Sequence, residues 1–97
     1  MADDTASIFA RLKRYVEDNN AIYPVWCCGV AADANQKLQR DHDVGNADWH
    51  MVETAATERE ARLVEERLVE LGCRGTQSRE KNATEIYVYR MKPHTRP

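Results

Sequence analysis

The residues of this chain that suggest chemistry are three cysteines, three histidines and one oddly placed glutamate. Cys27 and Cys28 are adjacent and run into Gly29 within CCGVAADANQKLQRDH, residues 27–42. Neighbouring residues of a regular strand point to opposite faces, so these two thiols do not readily share one ion. No CxxC or paired HxxxH spacing accompanies them, and no zinc is expected. Cys27, Cys28 and Cys73 read as small buried thiols in a reducing compartment. His50 and His94 read as hydrogen-bonded or solvated imidazoles. His42 lies one turn after Leu38 on the same helical face, where a site role and a helix C-terminal cation weigh about equally.

The glutamate is Glu65. On a wheel of about 100° per residue, ATEREARLVEERLVELG buries Ala61, Val64, Leu68 and Leu71, with Val69 extending the stripe to one side. Glu65 falls between Ala61 and Val69, inside the apolar sector. A carboxylate entering a core needs a cation, a donor or a metal. Glu65 is therefore a candidate site residue, weighed evenly against a structural ion pair or an edge position that reaches water.

These residues need elements to hold them. ASIFARLKRYVEDNN spaces Ile8, Phe9, Leu12, Tyr15 and Val16 as one helical stripe. IYPVWCCGVA reads as a strand with Pro24 at its entry. A short helix follows over about 34–42, started by Asp33 with Gln36 three residues later. WHMVETA alternates as a second strand. Thr57 with Glu60 forms a capping box for a helix that Gly72 ends in a left-handed turn. CRGTQSREKNA, 73–83, reads as a mobile polar loop, and TEIYVYR as a third strand. Residues 1–4 and 91–97 read as frayed tails. The predicted fold is a single α+β domain over 1–97, in the order α-β-α-β-α-β, with a small three-stranded sheet flanked by helices.

Length and charge narrow the function. Ninety-seven residues support one modest core. The net charge of −2 excludes a strongly basic nucleic-acid binder, so any anion site is a local patch. No apolar run approaches membrane length, and the acidic start MADDTASIF is unlike a secretory signal. A cytoplasmic protein with no membrane partner is expected.

Gly29 closing a strand, then Lys37, Leu38 and His42 on a helix, then Glu65 four residues after Ala61 on a later helix, resembles the core of the GIY-YIG nuclease family. The resemblance spans roughly residues 25–71. It implies that Glu65 is the ligand of a catalytic divalent ion, magnesium or manganese. It implies that Lys37 stands where the family's arginine holds a phosphate and that His42 supports the same surface. Cys27 occupies the place of the second motif's tyrosine, and the first motif has no strand of its own here. The final strand is the candidate for the missing one, which makes Tyr87 and Tyr89 the candidate tyrosines. These departures point to a diverged nucleic-acid-binding domain with a remnant metal site, whose capacity to cleave is in doubt. An active endonuclease with substituted tyrosines is the further reading that the resemblance allows.

The cations offer a phosphate-binding patch for DNA or RNA formed by Lys37, Arg40, Arg74, Arg79 and Lys81, with the basic tail beside it. The competing reading is a solvated face with helical ion pairs such as Glu58–Arg62. A third function class remains, a protein-interaction or homodimerisation module using an exposed strand edge and the stripe Ile8–Leu12–Tyr15.

Overall fold

The computed structural model describes residues 5–19, 22–40, 50–75 and 82–91. Helix α1 (Thr5–Asn19) buries Ile8, Leu12 and Val16, the repeat the sequence spells out. The Asn19 side-chain amide donates to the Tyr15 carbonyl at 2.7 Å and closes its last turn. Residues Tyr23–Val25 then form one 3-10 turn rather than the start of a strand. Pro24 explains the difference: its fixed φ and missing N–H suit the first turn of a helix and disfavour a ladder.

Strand β1 (Trp26–Ala31) is buried along its whole length. Helix α2 (Ala34–Arg40) follows, with the Gln36 N–H donating to Asp33 Oδ1 at 3.1 Å. Strand β2 (His50–Thr54) leads into α3 (Glu58–Leu71). Thr57 caps α3 by accepting the Glu60 N–H at 3.2 Å. Thr57→Ala should lower the unfolding free energy by about 1 kcal/mol in a urea titration. Gly72 ends α3 at φ 118°, and its N–H bonds back to Val69 at 2.9 Å.

The expected loop after Gly72 is not all loop. Arg74–Gly75 forms a short strand, β3, parallel to β1. Two residues are too few for an alternation signal, and neither arginine nor glycine favours strands. Glycine fits at 75 because a Cβ there would lie 2.9 Å from Val69 Cγ2. Strand β4 (Glu85–Arg90) completes a four-stranded mixed sheet in the order β2-β4-β1-β3. The sheet therefore has one strand more than the sequence reading gave it. The expected tail from 91 begins with a half-buried residue: the Met91 N–H donates to the Val25 carbonyl at 2.8 Å.

Cores form on both faces of the sheet. Helices α1 and α3 pack on the face carrying Trp26, Cys28, Val30, Ile86 and Val88. Helix α2 packs on the other, where Ala34 and Leu38 meet Cys27, Ala31, Tyr87 and Tyr89. The stripe Ile8–Leu12 is thus spent inside the domain and is no interface. The α3 stripe is narrower than expected, since Val69 is 44% exposed and Leu71 only half-buried. Among the described residues no helix is long and apolar enough to cross a membrane.

Candidate functional site

Register across the sheet assembles a row of side chains that no single segment announces. His50 lies opposite Tyr89, Tyr89 opposite Cys27, and Cys27 opposite Arg74. Directly opposed residues share a face of the sheet. The row His50–Tyr89–Cys27–Arg74 therefore crosses all four strands on the face that α2 covers. Cys27 and Tyr89 are buried, His50 is half-buried, and Arg74 is exposed at the edge. One step along the strands, Tyr87 lies opposite Gly29, which sends no side chain onto that face. The Tyr87 and Tyr89 rings stack with centroids 6.4 Å apart and planes 18° apart.

Burial sets the protonation of the Tyr89–Cys27 pair at the centre of the row. The Tyr89 phenol is pushed well above the ordinary tyrosine value, first by burial and then by donating its hydrogen bond to the Cys27 sulfur. Burial likewise raises the Cys27 thiol, against opposing pulls from Tyr89 and Arg74. At neutral pH both groups keep their protons. A phenol in this state can donate a hydrogen bond but cannot serve as a base.

Helix α2 brings two more cations to the same side, half-buried Lys37 and exposed Arg40. The carboxylate of Glu85 accepts the Ala34 N–H at 2.7 Å at the start of α2. On α3 Arg62 pairs with Glu58 at 3.7 Å, as expected, and on α1 Lys13 pairs with Glu17 at 3.7 Å. Arg11 crosses from α1 to Glu53 of β2 at 2.6 Å.

No family model, curated protein or solved structure matches the chain. The GIY-YIG resemblance rests on the residues alone.

Glu65 stands apart from the row. It sits half-buried on α3, the helix packed on the opposite face, and its Oε2 is buried with no hydrogen-bond partner among the described residues. Its carboxyl is raised from the ordinary 4.5 to about 7, chiefly by burial; Arg62 opposes this and Glu66 adds to it. Among the described residues no group of three or more His, Cys, Asp or Glu side chains converges as a metal cage. The groups within electrostatic reach of Glu65 on β1 are the thiols of Cys27 and Cys28. Magnesium and manganese prefer hard oxygen ligands. Among the described residues, Glu65 is not joined by a converging set of hard ligands of the kind either ion takes.

Of the residues singled out in the sequence, the fold brings Lys37, Arg40, Arg74, Tyr87 and Tyr89 to one side. It leaves Glu65 on α3, against the other face. His42, Arg79 and Lys81 lie outside the described residues. Sequence reasoning missed His50 and Cys27 as members of a row, because cross-strand register is a tertiary property. The one available signal was strand parity, which separates Cys27 from Cys28.

Proposed function

We propose that this chain is a nucleic-acid-binding domain on a GIY-YIG-like scaffold. In this reading it holds phosphate through Lys37, Arg40 and Arg74 and does not depend on cleavage. The register that puts Arg74 opposite Cys27 carries the reading. It places an exposed cation at the edge of the face on which α2, the helix that carries Lys37 and Arg40, packs, in a protein whose net charge of −2 gives no general attraction for nucleic acid. The protonated Tyr89 and Cys27 support binding over catalysis, since neither supplies a base to activate water. That no cluster of metal-ligating side chains forms around Glu65 among the described residues favours a reading without a metal ion.

The test is the salt dependence of duplex DNA binding. Each phosphate contact made by a cation contributes about one to the slope of log affinity against log salt. Lys37→Ala, Arg40→Ala and Arg74→Ala should each flatten that slope by about one and weaken binding for all sequences alike. Three variants with the wild-type slope would show that the phosphates lie elsewhere.

A second reading is favoured by the sheet edge. Strand β2 has no partner on its outer side among the described residues. Such an edge can pair with a second copy or another protein. Sedimentation of the full chain over a range of concentrations separates the readings, because edge pairing gives a concentration-dependent dimer without DNA.

A further inference from the structure

The function proposed above makes no use of Cys28 and Cys73. Both belong to the core between the sheet and helices α1 and α3. Cys28 lies opposite Gly75 in the parallel pairing, and Cys73 precedes β3 by one residue. The backbone of Cys73 is fixed, its N–H donating to the Leu68 carbonyl at 3.1 Å beyond the left-handed Gly72. The two thiols are hydrogen-bonded to each other, with Cys28 donating. Cys27 is on the opposite face and is engaged by the Tyr89 hydroxyl. Two thiols thus share one core across the β1–β3 pairing, while the third lies in the other core.

We propose that Cys28 and Cys73 are a redox pair, which hydrogen peroxide closes into an intramolecular disulfide tying β3 to β1. The chemistry divides the two roles. Cys73 accepts the hydrogen bond, which lowers its thiol below the ordinary value, and it is 3% exposed between exposed Gly72 and Arg74. Cys28 donates that bond, which together with burial raises its own thiol. The thiolate is the attacking form, and Cys73, at the outer end of the pair between two exposed residues, is the thiol a peroxide reaches first. Its sulfur attacks the peroxide, an S–O bond forms, the O–O bond breaks, and water leaves with the thiol proton. The Cys28 sulfur then displaces the hydroxyl of the Cys73 sulfenic acid. An S–S bond forms, the S–O bond breaks, and the Cys28 proton leaves in a second water. Two thiols are oxidised by two electrons, and one peroxide is reduced to two waters.

The full chain, reduced and freed of reductant, is treated with hydrogen peroxide without denaturant. It is then digested without reduction and mapped by mass spectrometry. The expected product is an intramolecular species lighter by two hydrogen atoms. Its three free thiols fall to one, with Cys28 joined to Cys73 and Cys27 intact. Cys27→Ser should close the same link, and Cys73→Ser should not. Mapping of the wild-type protein decides the matter alone if a variant fails to fold. The proposal is overturned by a link through Cys27, by disulfides only between chains, by sulfinic acid without a link, or by three thiols that stay free while a urea-unfolded sample oxidises.

Discussion

Trp26→Ala is expected to lower the unfolding free energy by about 3–5 kcal/mol. Trp26 is fully buried at the head of β1 and meets Tyr15 of α1 edge-on, with ring centroids 5.7 Å apart. Its removal opens a cavity where α1 and the sheet meet, and packed interiors relax only in part around such a loss. Small domains are stable by about 5–15 kcal/mol in total, so this variant approaches the threshold of unfolding. Urea titration reads the change directly. A loss below about 1 kcal/mol would mean that α1 does not close over Trp26 in solution. The consequence reaches the other face, because the residue after Trp26 is Cys27, the centre of the polar row.

Glu65→Gln is expected to stabilise the protein at pH 8 and to leave it unchanged near pH 4. The sign follows from where the proton binds. The folded state holds the Glu65 proton up to about pH 7, whereas the ordinary carboxyl value is 4.5. Below 4.5 both states are protonated and the group costs nothing. As pH rises from 4.5 to 7 the unfolded chain releases its proton while the folded chain resists, and stability falls. Above 7 the full penalty applies. A tenfold change in proton affinity corresponds to about 1.4 kcal/mol, and Glu65 is only half-buried, so the penalty is about 2 kcal/mol. Glutamine carries no charge and removes it. Unfolding curves of the two proteins at pH 4 and pH 8 test this; an equal difference at both would place the carboxylate in water.

Much of the local structure was legible. Thr57 and Gly72 mark the ends of α3 through chemistry that does not depend on the rest of the fold: a hydroxyl accepting a first-turn N–H, and a residue free to adopt positive φ. Strand parity separated Trp26, Cys28 and Val30 from Cys27, and the two cores divide them in that way. The helical wheel singled out Glu65, and its orphaned oxygen bears that out as an anomaly. What was not legible depends on pairing. Strand order, the parallel return of Arg74–Gly75 onto β1 and the opposition of His50, Tyr89 and Cys27 are fixed by contacts between segments distant in sequence. Strand β3 is held in place by the turn at Gly72 and by Val69 packing over Gly75, not by its own propensity. The same pairing separates Glu65 from the tyrosines, which no wheel or motif spacing could anticipate.

We propose that Lys37, Arg40 and Arg74 form one phosphate-binding surface on the α2 side of the sheet. Amide chemical shifts of the full chain, titrated with a short DNA duplex at low salt with and without magnesium, test it most directly. Shifts gathered along α2, at Arg74 and at the ends of β1 and β4, equal in both conditions and reversed by added salt, are the expected result. No shifts at low salt, where phosphate contacts are strongest, or shifts that need magnesium and centre on Glu65, would contradict it.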